Sequence, residues 1–222
     1  MLKHKLEFAY NYLTNVQKPN LKNMKTKPLL MTIAILTVAI NIVAQETGTY
    51  TDSRDKKTYK TVKIATITWM AENLAYKATS GCYAYENNEN NAIIYGYLYN
   101  WETAKKVCPS GWHLSSKDDW SALLTYWGGE LNAGDKLKEA GTIHWQKPIS
   151  AATNESGFTA IPGGYRNEKG EFYVLGYNCW WWCSTEEDTE RANQVLIYGH
   201  TKDVTISYIN KNNGFSVRCV KD

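Results

Sequence analysis

Residues 100–124 read NWETAKKVCPSGWHLSSKDDWSALL, and no other stretch of the chain constrains the fold as tightly. Trp101, Ala104 and Val107/Cys108 recur at helical spacing, with Asn100 placed as an N-cap. Pro109 and Gly111 stop that helix. Ser116 and Asp119 then form a near capping box, with Asp in place of the usual Glu. Trp120, Leu123, Leu124 and Trp127 follow at i, i+3, i+4 and i+7, one apolar helical face, and Gly128-Gly129 ends it. The pattern predicts two helices of roughly ten residues each, close together. Asp118, Asp119 and Glu102 read as helix-terminus charges. His113, between the helices and behind a Trp, reads as a packed, hydrogen-bonded histidine.

The first 44 residues are of another kind. Leu29–Ala44 is a sixteen-residue apolar run without charge. That is shorter than the roughly 20 residues of a transmembrane helix. Lys25 and Lys27 precede it, and a small residue, Ala44, closes it before Gln45. Residues 24–44 therefore read as a secretory signal peptide, and 1–23 as an upstream extension. No cysteine follows the run directly, so a lipid anchor on Cys is not supported.

This segment holds six lysines and one glutamate. Of the 25 basic and 22 acidic residues in the chain, the remainder carries 19 and 21, a net charge of −2. No clustered basic face for nucleic acid is expected from that remainder. Its 178 residues suit one domain, and all nine Trp and fourteen of the sixteen Tyr fall in it, enough apolar area for a core. The five cysteines (82, 108, 179, 183 and 219) also follow the signal segment, where an exported chain forms disulfides. The odd count leaves at least one thiol unpaired or intermolecular.

Residues 45–57 are polar and turn-forming, and read as a linker. Tyr59 to Met70 is rich in β-branched residues, a strand or a hairpin. Glu86–Asn91 reads as a solvated loop. Beyond residue 150, turn signals separate short apolar runs at Phe158–Ile161, Glu171–Leu175, Trp180–Ser184, Val195–Tyr198, Val204–Ile209 and Phe215–Val220. Strands segregated from helices predict an α+β domain with an antiparallel sheet.

Six motifs occur in order: TVKIATITWMAENL, YGYLYNWETAKKVCPSGWHLSSKDDW, AGDKLKEAG, TNESGFTAIPGGYR, WWCSTEE and NNGFSVRCV. Together they resemble the Fibrobacter succinogenes major paralogous domain, a family of exported bacterial proteins, from about Tyr59 to Lys221, with the domain at 58–222. More distantly, W-x-x-A-x-x-x-C-x-x-G-W-H-L with a capped helix, and the terminal F-x-V-x-C, resemble the C-type-lectin-like fold. That likeness implies two helices packed on a twisted antiparallel sheet, with the termini brought together by the first and last strands. It also implies a Cys108–Cys219 disulfide, closing a loop of about 110 residues worth roughly 4–5 kcal/mol in the chain-entropy treatment. The calcium–sugar motifs of the lectins, Glu-Pro-Asn or Gln-Pro-Asp and Trp-Asn-Asp, are not found in the sequence. Cys82, Cys179 and Cys183 are left without an assigned pairing.

The run from Cys179 to Asp188 reads in two ways. It is an aromatic-plus-acid platform, or it is a strand with Trp180 and Trp182 facing the core and only Trp181 on the other side. Gly163-Gly164-Tyr165-Arg166 lines a site, with Arg166 pairing a carboxylate, or is a tight turn into a strand. The candidate binding set is Trp181, Tyr165, Arg166, Glu186 and Glu187. No Ser-His-Asp order, HExxH or Gly-rich phosphate loop occurs, and no metal or other cofactor is expected.

The expected function is that of an exported, non-catalytic binding or surface-assembly module, with a glycan, a peptide or another surface protein as partner. It acts at the periplasm, cell surface or exterior. One alternative comes from a resemblance of Gly214–Cys219 to the closing strand of formylglycine-generating oxidases, with Cys179 and Cys183 as a copper-holding pair. A purely structural secreted protein is the other.

Overall fold

The computed structural model describes residues 45–146 and 151–222. The expected upstream extension and signal segment lie outside the described residues. The described chain is α+β. In chain order it forms β1 (Glu46–Thr51), β2 (Thr58–Ile64), β3 (Ile67–Met70), β4 (Cys82–Tyr83), α1 (Glu89–Tyr95), β5 (Leu98–Tyr99) and α2 (Trp101–Val107). Then come β6 (Trp112–Leu114), α3 (Lys117–Tyr126), α4 (Gly134–Leu137), β7 (Tyr165–Arg166), β8 (Phe172–Tyr173), β9 (Asn178–Glu186), β10 (Arg191–Tyr198), β11 (Val204–Asn210) and β12 (Cys219–Lys221). The strands group into an antiparallel sheet ordered β1-β2-β3-β12-β6, a second ordered β11-β10-β9, and the pairs β4-β5 and β7-β8.

The predicted helices form where their caps place them. Asn100 Oδ1 accepts from the amide of Thr103 at 3.0 Å. At α3 the capping box is complete: Ser116 Oγ accepts from Asp119 N (3.1 Å), and Asp119 Oδ2 accepts from Ser116 N (2.8 Å). Four local expectations change. The expected linker forms β1, which pairs with β2 along its whole length. Pairing with β2 along one edge holds it, so it needs few apolar side chains, and Tyr50 packs on the Trp112 ring at 5.1 Å. The expected loop at Glu86–Asn91 turns into α1, capped by Asn88, whose side chain accepts from Asn90 N. Phe158–Ile161 forms no strand, because the Phe158 and Thr159 carbonyls are taken by the Arg218 side chain. His113 is exposed rather than packed, and its Nδ1 meets Asp222 Oδ1 at 2.6 Å.

β9 is buried on both faces. Successive residues of a strand point oppositely, so Trp181 and Trp182 enter different halves of the core. Trp181 joins Trp69, Trp120 and Phe158, with ring centroids 5.1–5.9 Å apart. Trp182 packs on Phe215 at 4.5 Å, and its Nε1 donates to Tyr99 O at 2.7 Å. Thus α3 covers one side of β9 through Trp120, while α2 covers the other, where Trp101 Nε1 donates to Cys183 O at 2.8 Å. Each buried Trp contributes on the order of 4–6 kcal/mol of apolar burial, an upper figure for an extended reference chain.

The closing strand β12 lies between β3 and β6. The first and last strands therefore share a sheet but do not adjoin. Cys219 bonds to Cys108 at the end of α2, with Cα atoms 5.9 Å apart. Cys82, Cys179 and Cys183 are free thiols. Reduction, or the Cys108→Ala/Cys219→Ala pair, is expected to lower unfolding free energy by up to about 4–5 kcal/mol. Urea midpoints with and without reductant check this.

Two buried phenols tie the chain after β3 to the core. Tyr59 Oη accepts from Ala75 N at 3.1 Å, and Tyr99 Oη donates to Tyr76 O at 2.6 Å. Burial pushes both phenols well above the ordinary value of 10. Once the pH passes about 10 the unfolded chain loses phenolic protons that the folded chain keeps, so stability falls as pH rises, by about 1.4 kcal/mol per unit for each group. Urea midpoints between about pH 8 and pH 11 should drop, and Tyr59→Phe should flatten the slope.

Candidate functional site

A cleft of about 260 Å³ opens between the β2–β3 hairpin, the segment that leaves β3, and α1. Asn73 and Gly96 lie in its floor, Lys57 and Glu72 on one wall, and His144 and Glu139 on another. A second cavity of about 420 Å³ adjoins it across Lys57 and Ile93 and reaches Glu89 and Tyr97. Ile93 is 72% exposed, Ile94 48%, and Ile143, next in sequence to His144, 83%.

The floor is a saturated polar network. Asn73 Oδ1 accepts from Arg218 Nε (2.8 Å) and Trp181 Nε1 (2.9 Å). Its Nδ2 donates to Tyr95 O (2.8 Å) and toward Ser216 Oγ (3.4 Å). All four capacities of the amide are used. Arg218 lies behind, with no exposed surface. Its Nη1 donates to Met70 O (3.0 Å) and Phe158 O (2.7 Å), and Nη2 to Thr159 O (2.9 Å). No carboxylate of the described residues pairs with it. Desolvation lowers its pKa to about 9, so it remains charged at neutral pH. Gly96 has φ +79°, and a Cβ there would meet Leu74 O at 2.7 Å, so the close approach of α1 to the floor requires glycine.

The acids of the walls have hydrogen-bond partners. Glu139 Oε2 meets His144 Nδ1 at 2.9 Å, and the His144 ring stands edge-on to Tyr95 at 5.6 Å. Glu72 Oε2 accepts from Lys60 N at 2.7 Å. Glu89 bonds Lys77 Nζ at 2.6 Å and the Tyr97 hydroxyl. Thr159 Oγ1, the cleft hydroxyl, accepts from Asn154 Nδ2 at 3.0 Å and donates to Gly157 O at 3.3 Å. Among the described residues no hydrogen bond joins His144 to a hydroxyl or thiol.

The residues singled out from sequence are elsewhere and do not form one site. Trp181 is fully buried, so it offers no platform; its indole is a rib of the core, and Trp180 is the half-buried one of the three. Tyr165 lies on Trp180 (4.8 Å) and stacks with Tyr173 (5.4 Å). The Arg166 guanidinium sits 4.0 Å over the Tyr83 ring rather than on a carboxylate. Glu186 and Glu187 are exposed at the far end of β9, six positions past Trp180, about 20 Å at strand rise. Glu186 pairs with Lys211, and Glu187 accepts from Asn193 Nδ2 at 3.4 Å.

Cys179 and Cys183 are buried on one face of β9, four positions apart, about 13 Å at strand rise. Metal–thiolate bonds are about 2.3 Å, so one ion cannot be held by both. Burial pushes both thiols well above the usual range. Among the described residues no group of three or more His, Cys, Asp or Glu is arranged to hold a metal ion.

A family model, the Fibrobacter succinogenes major domain, matches residues 62–221. The chain belongs to this family. Comparison with curated proteins finds no match, and neither does comparison with solved structures. The matched span of the Fibrobacter succinogenes major domain holds most of the cleft, from Glu72 to Thr159, and the whole Arg218 network, while Lys57 and Lys60 lie just ahead of it.

The signal that sequence reasoning passed over is the apolar pair Ile93-Ile94 beside an Asn-rich tract, together with an arginine inside the closing F-x-V-x-C strand. Arg218→Leu leaves three carbonyls and half of the Asn73 oxygen unpaired, and is expected to cost about 3–5 kcal/mol. Arg218→Lys should recover little, since one ammonium cannot span the same acceptors. Urea unfolding with near-ultraviolet dichroism measures both.

Proposed function

We propose that the protein is an exported, non-catalytic binding or surface-assembly module of C-type-lectin-like architecture, and that the cleft beside α1 is its binding site. Its partner is a glycan, a peptide or another protein of the cell exterior. The observation that carries this is the exposure of Ile93 and Ile94 at the mouth of a cleft whose floor is internally hydrogen-bonded. Apolar side chains grouped at a concave surface mark a site that is covered in use.

Three further features support the reading. The apolar run at 29–44 has the features of an export signal. The Cys108–Cys219 bond suits an oxidising compartment. A cystine that joins a helix to the closing strand, with helices on either side of a central strand, accords with a lectin-like arrangement. Among the described residues no helix is long and apolar enough to cross a membrane.

Glycan and peptide arrays probed with the purified protein test the proposal. A ligand selected in this way should lose about tenfold or more in affinity to Ile93→Asp or Ile94→Asp, about 1.4 kcal/mol. The same variants should move stability by no more than about 0.5 kcal/mol, because both side chains face solvent. Silence on both arrays would point to a purely structural role.

A further inference from the structure

Ala44 and Gln45 meet at the boundary between the apolar run and the domain. The run closes on a small residue, as an export leader does at its cleavage site. Gln45 is the first described residue, and β1 starts at the next one, Glu46. Cleavage after Ala44 therefore makes Gln45 the amino terminus, directly ahead of a strand. Among the described residues nothing hydrogen-bonds the Gln45 side chain, and pairing with β2 starts only at Glu46. β1 is the outer strand of its sheet, and five of its six residues are exposed.

We infer that Gln45 is a modification site: once the leader is cut at Ala44–Gln45, this residue cyclises to an amino-terminal pyroglutamate. This rests on the export reading of the apolar run and not on the cleft. The step is an internal acyl transfer. The neutral α-amine of Gln45 attacks its own side-chain carbonyl carbon, Cδ, and the new N–Cδ bond closes a five-membered lactam. The Cδ–Nε2 bond breaks, and one proton of the amine leaves with Nε2 as ammonia. No oxidant, reductant or cofactor enters. An α-amine has an ordinary pKa of about 7.7–8.0, so near neutrality part of it is in the uncharged, nucleophilic form. The free side chain has no hydrogen bond to give up before it closes on the amine. The lactam changes two things at the sheet edge. It removes the terminal positive charge one residue from Glu46, whose carboxylate meets Lys63 Nζ at 3.1 Å. It also removes the primary amine at which an aminopeptidase starts. Trimming from that end would peel β1 and strip Tyr50 from the Trp112 ring.

The test is peptide mapping of the full chain, expressed with its leader and recovered from the cell and exported fractions. Primary amines are labelled by reductive dimethylation before trypsin, so that ammonia lost inside the mass spectrometer is not mistaken for the lactam. The terminal tryptic peptide of the exported protein should run from Gln45 to Arg54, the first basic residue after the cut. It should carry no label and be lighter by one ammonia. Gln45→Asn, one methylene shorter, closes only a strained four-membered ring. That variant should give a labelled peptide of full mass, and should lose its first residues to an aminopeptidase that leaves the unaltered protein intact. A labelled, uncyclised Gln45 would overturn the inference, and so would a mature terminus at any other residue; the export reading survives both. A chain that keeps residues 24–44, or that stays inside the cell, would overturn the inference and the export reading together.

Discussion

A guanidinium buried without a carboxylate holds the described domain together. Arg218 joins the chain leaving β3, at Met70 and Asn73, to the Phe158–Thr159 segment and to the closing strand's approach. Through Asn73 it reaches Tyr95 at the end of α1 and Trp181 in β9. Burying an unpaired ion costs several kcal/mol. Four charge-assisted hydrogen bonds, at about 1.5–3 kcal/mol each, offset that cost only while every acceptor stays in place. The arrangement is therefore close to all-or-none, and it fixes the positions of segments far apart in sequence.

The rest of the architecture follows from this and from the cystine. Cys108–Cys219 sets the closing strand against α2, and Arg218, one residue earlier, locks the same strand to the cleft floor. β9, covered on both sides by tryptophans, is the plane about which the two halves of the core are organised. The cleft is the consequence on the surface. The amide in its floor is fully hydrogen-bonded, and an isoleucine pair faces outward at its mouth.

Much of the fold was legible in the sequence, because helix caps and apolar spacing are local. Asn100, Ser116 and Asp119 cap the helices they mark. The runs at 180–184, 195–198 and 204–209 lie in strands. β1 was not legible, since its stability comes from pairing rather than from apolar residues. Trp182 faces the core as alternation predicts, but Trp181 was misassigned because simple alternation supposes one solvated face, and β9 has none. The candidate site was hidden for a related reason. Asn73, the Glu139–His144 pair and Arg218 are separated by tens of residues, and nothing local distinguishes a buried arginine in F-x-V-x-C from one on a strand surface. Gly96 is the exception, a glycine next to an apolar pair that the tight approach of α1 explains.

Hydrogen exchange of the arginine Nε–H groups, resolved by NMR at neutral pH, tests the central claim most directly. Arg218 should give a protected Nε–H that exchanges only with global unfolding, whereas Arg191, exposed and bonded to Asp188 at the surface, exchanges freely. Exchange of Arg218 as fast as that of Arg191 would contradict the account, because the guanidinium would then not be the buried hub on which the cleft floor and the closing strand depend.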